Sequence, residues 1–100
     1  MIKHIVMFKL KEANGKSEYE NALEAKERFN KVIENVRELK KGEVVINSKD
    51  ADQSNYTISL LCDFNTIDDL NAYQVHPIHK EFGAFIAGIK TDRACIDYEY

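Results

Sequence analysis

Tyr73-Gln74-Val75-His76-Pro77-Ile78-His79 puts a phenol and two imidazoles within seven positions, and the remaining histidine, His4, falls in the opening apolar segment. Imidazoles exchange protons near neutral pH, and a phenol can hold a proton against a carbonyl oxygen. Rings of these types converging in a pocket would form an acid/base site. Rings that only cap helices and fill a core would leave a small binding or dimerisation module.

The elements that must position these rings are legible in the periodicity. Ile2, His4, Val6, Phe8 and Leu10 alternate along one face of a first strand, while Ile5 and Met7 place apolar groups between lysines on the other. Asn14-Gly15 signals a turn, and Ser17 with Glu20 three positions later opens a helix as a capping box. That helix is predicted from Glu18 to about Lys40, with Tyr19, Ala22, Leu23, Phe29, Ile33, Val36 and Leu39 as its buried stripe. Gly42 is read as its end, Glu43 to Asn47 as a short strand and Ser48 to Asn55 as a loop. Tyr56 to Phe64 alternates with period two and reads as a strand. Thr66 caps a short helix that carries Tyr73, Pro77 ends it near His76, and a further helix runs from Pro77 to about Ile89, burying Phe82, Phe85 and Ile86. Ala94 to Tyr100 is the final strand.

Right-handed crossovers fold this order into an α+β, ferredoxin-like sandwich. It is a four-stranded antiparallel sheet with the helices on one face, the third and last strands flanking the first. Ile5, Met7, Leu61, Ile96 and Tyr98 then project from the opposite face, too apolar for solvent, and predict a homodimer closed face to face. Residues 1–100 make one domain, near the size at which a lone core buries surface inefficiently. A net charge of -3 speaks against nucleic acid, and no stretch approaches the roughly 18 apolar residues of a membrane span. The opening residues lack the apolar core of a signal peptide, so the expected compartment is cytoplasmic. Cys62 and Cys95, with no Cys-x-x-Cys spacing, are read as buried, reduced thiols beyond disulfide reach.

Three segments carry a resemblance: Met1 to Leu10, Asp69 to His79 with its Tyr-x-x-His-Pro-x-His core, and Asp97-Tyr98. Nearly end to end, the chain resembles the stress-responsive A/B barrel (Dabb) domain family. The resemblance implies a dimeric α+β barrel, and it extends to plant polyketide cyclases of the olivetolic acid cyclase kind. On that resemblance Tyr73 and His79 would do acid/base work in a pocket between sheet and helices. His4 would line the pocket, and Asp97 would orient the catalytic imidazole. The chain departs from the pattern at Arg93, where the cyclase carries an apolar pocket residue. It departs again at Asn35 to Leu39, where family members often carry proline and glycine.

Each ring also has a structural reading. His79 could bond Asp97 purely for structure, Tyr73 could be packing, and His4 could be a satisfied core group, while His76 is read as a C-terminal cap. His76 and His79, separated by a proline, do not form a one-face metal motif, so no metal is expected, and the chemistry requires no cofactor. The candidate catalytic residues are His79, Tyr73 and Asp97. The candidate binding residues are His4, Val6, Phe8, Phe29, Leu60 and Phe82. Two functions fit. One is a pocket for a small carbonyl-bearing or phenolic molecule, with cyclase- or lyase-like acid/base chemistry. The other is a non-enzymatic dimeric stress-response or interaction module. The first requires a cavity between sheet and helices, and the second a filled interior.

Overall fold

The computed structural model describes residues 1–100 as β1 (Ile2–Leu10), α1 (Glu18–Asn35), β2 (Lys41–Ile46), β3 (Ile58–Phe64), α2 (Ile67–Val75), α3 (Pro77–Ala87) and β4 (Lys90–Glu99). The strands form one antiparallel sheet in the order β2-β3-β1-β4, so β1 is bonded on both sides and its alternation decides which residues face the helices. Ile2, His4, Val6, Phe8 and Leu10 are all buried, opposite Ile58, Leu60, Cys62 and Phe64 of β3. No helix is long and apolar enough to cross a membrane.

Local chemistry starts and stops the helices. Asn14 and Gly15 adopt φ of 56° and 76°, the left-handed pair a tight turn needs, between bridged Ala13 and Lys16. Ser17 Oγ then accepts from Glu20 N at 3.1 Å while Glu20 accepts from Ser17 N at 2.9 Å, so the capping box is complete. Helix α1 stops at Asn35, short of the predicted Lys40. Lys40 N already donates to Asp63 O at 2.9 Å, so the β2–β3 ladder takes over the backbone, and Val36 and Leu39 bury themselves at the two ends of a tight turn in which Leu39 N donates to Val36 O at 3.1 Å.

The buried face of α1 is Asn21, Ala22, Ala25, Phe29 and Val32, whereas Tyr19 and Leu23 are exposed. Asn21 is tolerated inside because its amide donates to Lys11 O at 3.0 Å and to Ala13 O at 3.4 Å. Helices α1 and α2 lie over β1, β2 and β3, with β4 at the sheet edge beside them. Cys62 of β3 is therefore buried as expected, but Cys95 of β4 is exposed. The opposite face of the sheet carries no helix. There Ile5, Met7 and Leu61 are half-buried, and Ile96 and Tyr98 keep 60% and 43% of their surface exposed. Asp63 on that face is held by Lys3 Nζ at 2.7 Å and Tyr100 Oη at 2.6 Å.

Gly42 lies inside β2 rather than ending α1. A Cβ there would meet Ile33 Cγ1 at 3.0 Å, Leu39 Cδ2 at 3.1 Å and Phe29 Cε2 at 3.3 Å, so the bare backbone lets α1 close on the sheet. Gly83, within α3, has nothing within 4 Å of the same position. Urea denaturation should find Gly42→Ala destabilised by about 1–3 kcal/mol through overpacking. Gly83→Ala should gain roughly 0.5–1 kcal/mol from helix propensity. An equal response from both would remove the packing role assigned to Gly42.

Candidate functional site

Proline 77 creates the first half of the site. Helix α2 ends at Val75, which leaves carbonyls of its last turn without intrahelical donors, and Pro77 restarts the chain as the first residue of α3. His79 lies in that new first turn, and its Nδ1 stands 3.1 Å from Gln74 O. A carbonyl only accepts, so Nδ1 carries the hydrogen and Nε2 keeps its lone pair. Burial is the largest cause that holds the His79 pKa below its ordinary 6.5; the bond to Gln74 opposes it, and the nearby charges of His4, Arg93 and His76 push it lower still. His79 is therefore neutral at pH 7.

Tyr73 packs beside it, with ring centroids 4.3 Å apart and the planes tilted by 48°. The phenol ring is fully buried against Phe64, yet Tyr73 Oη has no hydrogen-bond partner. Burial, reinforced by the neighbouring Cys62 thiol, pushes its pKa far above the ordinary phenol value, so it stays protonated. Burial likewise pushes the Cys62 thiol up to about 12. A buried donor left unpaired costs about 1–3 kcal/mol, which makes Tyr73 Oη the most notable polar atom in the interior.

Both rings line a cavity of about 150 Å³ between the sheet and helices α2 and α3. His4, Val6 and Phe8 of β1, Leu60 of β3, Gln74 of α2 and Phe82, Gly83 and Ile86 of α3 complete its wall, and Lys90 and Arg93 of β4 stand at its solvent side. Phe29 is not in the wall; it lies behind Phe82, with ring centroids 5.0 Å apart. A larger hollow of about 580 Å³, beside Val45 and the 54–57 segment, holds no imidazole, thiol or carboxylate.

Asp97 partners a different imidazole from the one expected. The β1–β4 register sets it directly across from His4, whose Nδ1 donates to Asp97 Oδ1 at 2.5 Å. His79 takes the Gln74 carbonyl instead. His76 is the C-cap of α2 as read, its backbone N–H donating to Tyr73 O at 3.2 Å, but its ring turns forward: Nδ1 accepts from Ile78 N at 3.1 Å, which makes it the N-cap of α3 as well. Cys95 Sγ lies 3.5 Å from His4 Nδ1 and 3.8 Å from Asp97 Oδ1, so three metal-ligating atoms meet within 4.8 Å. Two ligands each about 2.0–2.2 Å from one tetrahedral ion stand roughly 3.3 Å apart. His4 Nδ1 and Asp97 Oδ1 stand at hydrogen-bonding distance, closer together than two ligands of one ion.

The model of the Dabb family, Stress responsive A/B Barrel Domain, matches residues 2–100. The chain belongs to the Dabb family. Among solved structures it is similar to a dimeric protein of unknown function with a ferredoxin-like fold from Bacteroides fragilis. The two are 32% identical, with a TM-score of 0.84 over 99% of this chain and 95% of that one. It is also similar to At3g17210 from Arabidopsis thaliana, at 21% identity and a TM-score of 0.80 over 100% and 95% of the two chains. A hydroxynitrile lyase from Passiflora edulis shares the fold at 14% identity, with a TM-score of 0.77 over 97% and 90%. No curated protein matches the chain in sequence.

This Dabb domain thus brings Tyr73, His79, His4, Val6, Phe8, Leu60 and Phe82 to one cavity, with Asp97 behind His4. Sequence reasoning did not single out Gln74 or Lys90 for the pocket, and Arg93 entered it only through the resemblance, as a departure at an apolar pocket position. The unsatisfied carbonyls of a helix stopped by proline were a signal for Gln74. Arg93 faces the helices because it pairs with Phe8, a register that periodicity alone does not supply. Nitrogen-15 NMR of the rings at pH 7 should show His79 as the Nδ1–H tautomer with a titration midpoint below 6.5, unmoved by Asp97→Asn. A midpoint that follows Asp97 would reassign the carboxylate to His79. The unfolded chain binds a proton at His79 more readily than the fold does, so stability should fall as pH drops below 6.5, and less so in His79→Gln.

Proposed function

We propose that this Dabb domain binds a small carbonyl-bearing or phenolic molecule in the sheet–helix cavity and acts on it by cofactor-free acid/base chemistry of a cyclase or lyase type. The carrying observation is the buried, unpartnered Tyr73 hydroxyl beside a neutral imidazole on one cavity wall. Their environments push the two pKa values apart, the phenol upward and the imidazole downward, which separates a donor from an acceptor at neutral pH. Tyr73 O–H would donate to a carbonyl oxygen, and His79 Nε2 would take a proton from the adjacent carbon. The resulting oxyanion would be stabilised by the same Tyr73 bond. His4, oriented by Asp97, would position the ligand from the sheet side. A cavity of about 150 Å³ holds one benzene-sized ring, which suits a compact substrate better than a long polyketide.

The working unit in this reading is a homodimer. Relatives from Bacteroides fragilis and Thermobifida fusca are described as dimeric, and the helix-free face offers Ile96 and Tyr98 to a second copy. That face alone would also serve a non-enzymatic stress-response or interaction module. Ile96→Glu should convert the dimer to monomer in sedimentation, and an unchanged mass would remove this face as the interface.

Tyr73→Phe separates the two functional readings. Deleting an unpaired buried hydroxyl should leave stability unchanged or raise it by about 1–3 kcal/mol, while affinity for small phenols or β-keto compounds drops. Where turnover is found, His79→Ala should lower it by about 10²–10⁴-fold with the fold intact, and its acid limb should lie below pH 6.5. A Tyr73→Phe variant that binds as the parent does would return the site to the packing reading.

A further inference from the structure

The cavity is asymmetric in charge, and the asymmetry names a ligand class. Its inner end is Tyr73, buried completely, with His4 buried beside it. Its outer end carries Lys90 and Arg93, both exposed cations on β4 and both part of the cavity lining. Neither is in an ion pair. Asp97, the neighbouring carboxylate on the same face of β4, is engaged with His4. Asp92, next to Arg93 in sequence, accepts from Tyr56 Oη at 3.0 Å and from Arg93 N at 2.8 Å. Lys90 Nζ stands 6.0 Å from the Phe8 ring centroid, over the apolar wall of the cavity.

We infer that the ligand is an anion, a small aromatic or oxo carboxylate that places its phenol or carbonyl oxygen at Tyr73 and its carboxylate between Lys90 and Arg93. This rests on the pocket reading above and adds to it the second pole of the ligand. Unpaired cations beside an apolar slot reward a carboxylate twice, by charge and by directed N–H donors, and a guanidinium offers a fork that matches two carboxylate oxygens. The cavity volume leaves room for a single ring between the two poles.

The test is calorimetric titration of the intact protein with 4-hydroxybenzoate and with phenol. The same pair is then run on Arg93→Gln, Lys90→Gln and Tyr73→Phe. The carboxylate should bind the parent at least about tenfold more tightly than phenol, with an advantage that shrinks as salt rises. Arg93→Gln and Lys90→Gln should erase most of that advantage by weakening the carboxylate far more than phenol, whereas Tyr73→Phe should weaken both. Equal affinity of the parent for the two probes, or an advantage that survives the β4 substitutions, overturns the anion inference while leaving the pocket reading intact. Absence of binding by both probes overturns the pocket reading and this inference with it.

Discussion

Everything in this Dabb domain hangs on the register of β1 between its two neighbours. The strand is bonded on both edges, so its pleat places His4, Val6 and Phe8 under the helices and Ile5 and Met7 on the far side. A slip of one residue would exchange the two sets, exposing the core and carrying His4 away from the cavity. The same register sets Asp97 opposite His4 and Arg93 opposite Phe8, so the electrostatics of the site follow from the ladder.

The second dependence is on polar groups left without partners at element ends and in the core. Pro77 interrupts what would have been one helix, and the break has two consequences. It frees a carbonyl at Gln74 for the His79 ring to satisfy, and it turns His76 into the N-cap of the next helix. The His79 tautomer is thus set by the main chain rather than by a carboxylate. Tyr73 Oη is the remaining buried side-chain polar atom without a partner. A core optimised only for stability would carry phenylalanine there, because the hydroxyl adds a desolvation cost that the neighbouring Cys62 thiol, a weak partner, repays at most in part.

The sheet has two faces with different fates. Under the helices, Ala22, Ala25 and Gly42 allow close approach, and a contiguous core forms around Phe29, Phe64 and Phe82. On the other face, apolar residues of β1, β3 and β4 stay partly in solvent, punctuated by the Lys3–Asp63–Tyr100 cluster. Covering that face in a second copy would compensate for the limited burial available to 100 residues.

Strand and helix identities and the capping box at Ser17 are properties of local pattern, and the sheet order follows from the element order through the handedness of crossovers. Period-two and near-four-residue repeats depend on neighbours in the chain, so they could be read before any contact was known. The gathering of Tyr73, His79 and His4 was implied by family resemblance, and β1 alternation alone put His4 on the inner face. Other features needed the folded molecule. Helix α1 ends early because a long-range ladder bond competes with it, and Tyr19 and Leu23 are exposed because the helix docks on its alanine side. Asp97 pairs with His4 because cross-strand geometry brings it there first, and Phe29 misses the cavity because Phe82 stands in front of it. Each of these outcomes is a choice between partners distant in sequence, settled by register and side-chain direction to within an ångström or so. Residue order alone carries the list of candidates, and three-dimensional packing selects among them.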